Sequence, residues 1–431
     1  MPRFARHAVC SPLTLASKVG LEVLRDGGNA ADAAIATNLA LAVAYPHMCG
    51  VGGDLFAMVW VDGEIAGLNS SGALPAAATL EGSVPQRGIG SATVPGAPAG
   101  WTALAQRFGT RSVDDLAQPA IRLARDGVER SPGLTRVTAW SEGLLRGDPE
   151  ASRIFLADGP LRQPELAATL ADLDGFYHGP VARAAPAPFT QADFAAHEAA
   201  WVSPMHTPFA GTEVYEMPPN SRGHLVLEAI RRLEPIGGLA ADDPELHARL
   251  IRALHAVEFG GDTIYLCVVD GAGMAVSLNQ SLFMAFGSGV VVPGTGVLLH
   301  NRGAYHTAAT YRPEARPVHT LSPAMALAHG RPRLVFGTMG GEAQVQIHLQ
   351  LLARILVAGQ SADEAIAAPR WTFDRTNLLL EDGLALPAPP GMTVARLAVP
   401  ELAGHAHVIR MLPDGLDAGC DPRSDGVAVG D

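Results

Sequence analysis

Paired cysteines, basic runs and long apolar stretches are scarce or absent in this 431-residue sequence. Its four cysteines, Cys10, Cys49, Cys267 and Cys420, lie far apart and never in the C-x-x-C spacing of a zinc site or a redox dithiol. They read as reduced, mostly buried thiols. Acidic side chains outnumber basic ones, 43 to 31, giving a formal charge of −12. Without a long run of Lys or Arg, nucleic acid and anionic membrane surfaces are disfavoured as partners. The most apolar segment, Ala30 to Tyr45, would form a helix of about 24 Å that carries Asp32 and Asn38. It is too short and too polar to span a bilayer and reads as a core helix. Arg3 and Arg6 near the N-terminus are not followed by the continuous apolar block of a secretory signal, so a cytoplasmic location is expected. The H-E-x-x-H, G-x-S-x-G and G-x-x-x-x-G-K-[ST] motifs and the protein-kinase set are missing as well.

What is present is ample apolar material, 48% of residues against 17% charged, enough for one large core or two modest ones. A short strand at His7 to Cys10 leads into a helix over Leu13 to Arg25 that stops at Gly27-Gly28. The helix from Asn29 or Ala30 has apolar residues on every face and ends before Pro46, so it belongs in the middle of the fold. Next comes His47-Met-Cys-Gly-Val-Gly-Gly-Asp54, then a hairpin through Leu55 to Val61 turning at Asp62-Gly63. A dinucleotide fingerprint follows a strand and opens a helix; this glycine cluster does the reverse and reads as a tight helix-to-strand passage. From Trp101 to about Ala185 the pattern is helical and amphipathic, a covering layer. A Pro-rich stretch to Pro219 precedes helices at His224 to Leu233 and Asp243 to Phe259. Strands follow at Thr263 to Asp270, Met274 to Ser281, Gly289 to Val292 and Arg333 to Phe336. Helices are read at Val345 to Leu356 and Asp363 to Ala368, the latter with Ser361 and Glu364 at capping-box spacing. Strands in both halves with helices before and after predict a sheet-on-sheet core covered by helices.

Two features invite chemistry. His405 and His407 fall on one face of a strand, but with no third ligand nearby they read as an ordinary exposed pair rather than a metal site. Thr263 opens a strongly apolar strand behind Gly260-Gly261-Asp262. A threonine hydroxyl is a poor nucleophile alone, but a cut just before it would free an α-amine that can act as its base. Such an amine, with a pKa near ~7.7 to 8, is partly unprotonated at neutral pH. A plain strand-opening threonine fits the same residues.

The stretch Gly261-Asp-Thr-Ile-Tyr-Leu-Cys-Val-Val-Asp-Gly-Ala-Gly-Met-Ala-Val-Ser-Leu-Asn-Gln-Ser281 resembles the start of the small subunit in the γ-glutamyltransferase family of N-terminal nucleophile hydrolases. The likeness continues, in family order, through Ala8 to Asp54, Met217-Pro-Pro-Asn-Ser221, Phe286-Gly-Ser-Gly289, Arg316-Pro-Val-His-Thr-Leu-Ser-Pro323, Gly337-Thr-Met-Gly-Gly341 and Asp421-Pro-Arg-Ser-Asp425. The resemblance implies an α+β fold, a four-layer αββα sandwich, made as one precursor that cuts itself between Asp262 and Thr263. Residues 1–262 would be the large-subunit segment and 263–431 the small-subunit segment, together one structural domain. Thr263 would serve as processing residue and nucleophile. Ser281 matches a hydroxyl that hydrogen-bonds the nucleophile, and Gly340 and Gly341 match the pair whose N–H groups form the oxyanion hole. A tight turn before a helix would use the same two glycines. No cofactor and no metal are expected.

The resemblance is weaker in the substrate pocket. The family's carboxylate-binding arginine falls on Ser71 and its serine pair on His319 and Thr320; an expected asparagine becomes Phe283, and an amide and an aspartate become Arg302 and Tyr305. A pocket for a zwitterion has lost its partners, and unpaired buried charge is strongly penalised. Arg302, in His300-Asn-Arg-Gly-Ala-Tyr305, suits a carboxylate on the acyl part of a substrate, or a structural ion pair beneath the loop. The N-R-G pattern is similar to the amidohydrolase branch of the family, which includes oxamate amidohydrolase and the glutaryl-cephalosporin acylases. Arg302, Asn301, His319 and Thr320 are therefore the substrate-binding candidates. The expected protein is a cytoplasmic, self-processing amide hydrolase for a small carboxylate-bearing amide, assembled as a heterodimer of its two cleavage products or a dimer of these. The alternatives are a true γ-glutamyl hydrolase or transpeptidase for glutathione-like substrates and an uncut, non-catalytic relative. The segment leading into Thr263 is shorter than in most relatives.

Overall fold

The computed structural model describes residues 3–255, 264–374, 376–397, 399 and 403–431. The strand Ile264–Val269 is buried along its whole length, and the two-residue period of a strand accounts for it. Ile264, Leu266 and Val268 point into a core shared with the helices Thr14–Arg25 and Ala30–Ala44. Tyr265, Cys267 and Val269 point the other way, into a layer shared with Phe56, Met58, Met325, Val335 and Ile409. That layer is the seam between two seven-stranded antiparallel sheets.

One sheet runs Val429–Gly430, Ala8–Cys10, Ile264–Val269, Ala275–Ser281, Asp54–Val61, Glu64–Ser70, Ala200–Val202. The other runs Arg3–Phe4, Gly415–Cys420, His405–Leu412, Arg331–Met339, Ala324–Ala328, Thr212–Glu216, Met205–Phe209. On its outer face Leu334, Phe336 and Val408 pack with the helices His224–Arg232, Pro244–His255, Gln344–Leu352 and Ala362–Ala367. The order is helix, sheet, sheet, helix: the four-layer α+β sandwich. Each sheet mixes strands from both sides of residue 263.

All fifteen residues of the helix Ala30–Ala44 are buried. Its polar residues find partners inside the fold: Asp32 closes a capping box with Asn29 and accepts from Thr110 and Arg111, and Asn38 Oδ1 accepts from Trp101 Nε1 at 2.7 Å, while Asn38 Nδ2 is unpaired among the described residues. Among the described residues no helix is long and apolar enough to cross a membrane. The glycine cluster behind this helix is a close passage: a Cβ on Gly53 would sit 2.3 Å from Gln280 Nε2 and 2.4 Å from Ser281 O.

Some expectations are corrected. His405 and His407 are buried, not exposed, because their strand lies inside a sheet and their face looks into the seam. The His407 ring stacks on Tyr265 at 6.2 Å. Three of the four cysteines, distant in sequence, meet in that same seam. The strand read at Gly289 to Val292 shrinks to Val291–Val292, and the helix read to Leu356 becomes a π-helix over Ala353–Val357. The helix read to Phe259 is described as Pro244–His255; the remaining residues, with Thr263, lie outside the described ones.

Candidate active site

The inward face of the strand Ala275–Ser281 carries Ser277, Asn279 and Ser281, an unusual polar row in an apolar seam. Each must find a partner or be penalised. Ser277 Oγ accepts from Ala324 N at 3.0 Å and lies 3.0 Å from the Tyr265 hydroxyl. Asn279 Nδ2 donates to Ile264 O (2.9 Å) in its own sheet and to Thr338 O (3.3 Å) in the other. Ser281 Oγ accepts from Phe283 N at 2.7 Å, and Ser281 is the register partner of Asp54. Ile264 pairs with Gln280, so the strand that follows Thr263 begins beside Ser281.

The facing strand ends at Met339, and Gly340 and Gly341 follow it. Gly340 has φ +138° and Gly341 φ +56°, conformations that favour glycine. They turn the chain into the helix Gln344–Leu352. The Gln344 amide, oriented to donate, reaches Thr320 O at 2.8 Å and Thr338 O at 3.2 Å, tying the loop of His319 and Thr320 to this turn. Ser281, Gly340, Gly341 and Thr320 thus share one end of the sandwich.

Sequence reasoning missed the group at the centre of the next layer. Asp54, 1% exposed, accepts from Gly72 N and Gly96 N at 3.1 Å each through Oδ1. Its Oδ2 lies 3.1 Å from His319 Nε2 and 3.7 Å from His300 Nδ1. Burial pushes the Asp54 carboxyl up to about 7, against the lowering pull of those amides and of Arg302 and Arg316. Burial likewise drives His300 down to about 3 and His319 well below the usual range, so both rings are neutral. His319, Thr320 and their hydroxyl and ring nitrogens are buried, and His319 Nδ1 and Thr320 Oγ1 have no hydrogen-bond partner among the described residues. Arg302, 1% exposed, lies over the Phe283 ring at 4.2 Å and the Tyr305 ring at 5.9 Å. Asn301 is engaged with backbone, accepting from Met284 N (3.0 Å) and donating to Gln86 O (2.8 Å), and so fixes the loop that carries Arg302.

Asp54 makes a pH prediction. Its folded pKa lies above its unfolded value of about 3.9, so its stabilising contribution is complete below that value and is lost as pH rises through about 7. Relative to wild type, Asp54→Asn should therefore gain stability between pH 5 and 8, by about 3 kcal/mol at 1.36 kcal/mol per unit, then level off. Glu216, also pushed up to about 7 by burial, is common to both proteins and cancels. Urea denaturation across this range checks it; a constant difference would contradict the buried, protonated carboxyl.

A cavity of about 170 Å³ opens against Gly340, walled by Tyr45, His47, Met48, Ala285 and His405. Burial lowers His47 to about 3, so its ring is neutral. Arg136 and the 62%-exposed Trp140 stand at the same cavity.

The model of the gamma-glutamyltranspeptidase family matches residues 16–258 and 239–431. The chain belongs to the gamma-glutamyltranspeptidase family. Within the family, it is 33% identical to the oxamate amidohydrolase proenzyme of Klebsiella pneumoniae, with 97% of each chain covered. It is 32% identical to the glutathione hydrolase-like YwrD proenzyme of Bacillus subtilis, covering 99% of this chain and 98% of that one. Among solved structures, the cephalosporin acylase of Bacillus halodurans superposes with a TM-score of 0.89 at 27% identity, covering 100% of this chain and 96% of that one. The alignment with the Bacillus subtilis relative runs over 516 positions, so this gamma-glutamyltranspeptidase relative of 431 residues lacks some of its partner's sequence.

Proposed function

We propose that this chain is a self-processing hydrolase of small amides whose acyl part carries a carboxylate, with Thr263 as nucleophile. The convergence at one end of the sandwich carries the reading: Asn279 joins Ile264 O to Thr338 O, which brings the start of the strand after Thr263 to the turn at Gly340 and Gly341. In processing, Thr263 Oγ attacks the carbonyl carbon of Asp262; the peptide bond breaks, an ester forms and the α-amine is freed. Water then hydrolyses the ester. In turnover that amine takes the hydroxyl proton as Oγ attacks the substrate amide; the C–N bond breaks, the proton passes to the departing amine, and water then hydrolyses the acyl ester to release the acid. The N–H groups of Gly340 and Gly341 receive the oxyanion, each typically worth about 2.7 to 4 kcal/mol. Ser281 orients the nucleophile. Residues 1–262 and 263–431 remain together after the cut, since Ile264–Val269 is hydrogen-bonded to Ala8–Cys10 and Ala275–Ser281 to Asp54–Val61. The relatives from Klebsiella pneumoniae and Bacillus subtilis are both named proenzymes, which supports a precursor here.

For the acyl pocket the reading assigns Arg302 to the substrate carboxylate, with Asn301 holding its loop and His319 and Thr320 offering uncharged polar contacts. Arg302→Ala should raise KM for an oxamate-like or glutaryl amide on the order of 10- to 100-fold, the loss of a charge-assisted hydrogen bond, and far less for a neutral amide. Equal effects on both substrates would make Arg302 structural. The name of the Bacillus subtilis relative favours a second reading, hydrolysis of γ-glutamyl compounds. Release of the amine from a γ-glutamyl anilide, but not from a glutaryl anilide, would establish it and overturn the first.

A further inference from the structure

Outside the candidate active site, the seam between the sheets holds a chemical group that the proposed reaction does not use. Cys10 and Cys267 are register partners on adjacent antiparallel strands. Directly opposed residues share a face, with Cα atoms about 4.5 to 5.5 Å apart, inside the range a disulfide tolerates. Cys420 comes from the opposing sheet, at the end of Gly415–Cys420. Its Sγ lies 3.7 Å from Ser11 O, next to Cys10, while Cys10 Sγ lies 3.9 Å from Val408 O, next to His407, the register partner of Cys420. The Cys10 thiol interacts electrostatically with the thiols of both Cys267 and Cys420. None of the four cysteines is in a disulfide. Cys49 stands apart, in the helix-side core, with its thiol toward Tyr45 O at 3.5 Å.

The two ends of this contact differ in reactivity. Cys10 is fully buried, and burial pushes its thiol up. Cys420 is partly exposed; burial opposes its ionisation, but the neighbouring Cys10 thiol and the His407 ring bring its thiol down to about 6. Thiolate character and access make Cys420 the sulfur that meets an oxidant first. Among the described residues no cluster of His, Cys, Asp or Glu has the arrangement to hold a metal ion.

We propose that Cys10 and Cys420 are a modification site, oxidised by hydrogen peroxide to a reversible disulfide that bridges the two sheets. The Cys420 thiolate attacks one peroxide oxygen; the O–O bond breaks, sulfenic acid forms and the departing hydroxide is protonated to water. Cys10 sulfur then attacks the sulfenic sulfur, the S–S bond forms, and hydroxide leaves with the Cys10 proton as a second water. Two thiols and one peroxide become one disulfide and two waters. Cys10 precedes residue 262 and Cys420 follows residue 263. In a protein cut at Asp262 and Thr263, the bridge would therefore join the two polypeptides covalently; in an uncut chain it would join the same strands.

The test uses the full-length folded protein, exposed to hydrogen peroxide, quenched with an alkylating agent and digested without reductant. The expected result is a fall from four titratable thiols to two, with a Cys10–Cys420 linked peptide that dithiothreitol releases. Cys420→Ser should keep its remaining thiols free, and Cys49→Ser should still form the link. Four free thiols in folded wild type, a Cys10–Cys267 peptide in place of the expected one, or a disulfide persisting in Cys420→Ser would each overturn the assignment. The linked-peptide readout needs neither a variant nor cleavage at Thr263, so it stands apart from the proposed reaction.

Discussion

Thr263→Ala should yield a single 431-residue chain with no measurable amidase turnover, whereas wild type should separate on denaturation into two fragments meeting at Asp262 and Thr263. One hydroxyl is assigned both tasks, so both fall together. Ser281, the nearest hydroxyl by motif, lies on the strand Ala275–Ser281, which is not the strand that follows residue 263. Denatured mass measured side by side decides the matter. An alanine variant cut at the usual place would remove Thr263 from processing. An intact chain in both proteins would make the non-catalytic reading the leading one, and the short segment ahead of Thr263 would then be its natural cause, since self-cleavage needs a correctly placed peptide bond. Thr263→Ser separates chemistry from folding: it keeps a hydroxyl at the same atom, so cleavage and some turnover should survive there while disappearing from Thr263→Ala.

Local pattern made much of the architecture legible. The helix Ala30–Ala44 is apolar on every face, which only a central position tolerates, and the helix at Ala362–Ala367 has its Ser361–Glu364 capping box in place. The hairpin Asp54–Val61 to Glu64–Ser70 turns at Asp62-Gly63 as its residues require. What escaped depends on strand pairing across long separations. Cys10, Cys267 and Cys420 carry no mutual signal in sequence; the pairing of Ala8–Cys10 with Ile264–Val269 and the stacking of the sheets create their proximity. His405 and His407 were legible as one face of a strand, but not which side that face took.

The same distinction holds in the candidate site. Ser281 and the two glycines could be marked by motif. Asp54 could not, because an acid after a glycine run looks like a turn residue until His300, His319, Gly72 and Gly96 arrive from other loops. Asn279 had one usable signal: an amide on the seam-facing parity of an apolar strand must be satisfied by something across the seam. Thr338 O is that partner.

Gly340→Ala should lower kcat by about 10²- to 10³-fold with KM little changed, the loss expected when an oxyanion donor is displaced. At φ +138° an alanine is strained, at a cost of about 1 to 3 kcal/mol, and its Cβ would meet Gly404 Cα at 3.0 Å and Ile347 Cδ1 at 3.2 Å. The turn relieves those contacts by shifting a few tenths of an ångström, which moves the adjacent N–H groups off the position where the oxyanion forms. Strain alone would also lower the melting temperature, so Gly330→Ala supplies the comparison. Gly330 has φ +75° with no atom within 4 Å of the added Cβ, and it sits at a hairpin turn between Ala324–Ala328 and Arg331–Met339, away from the candidate site. Both variants should melt a few degrees lower, but only Gly340→Ala should lose turnover. If kcat survives in both, the glycine pair is the tight turn that the helix Gln344–Leu352 needs, and the oxyanion must be held by other groups.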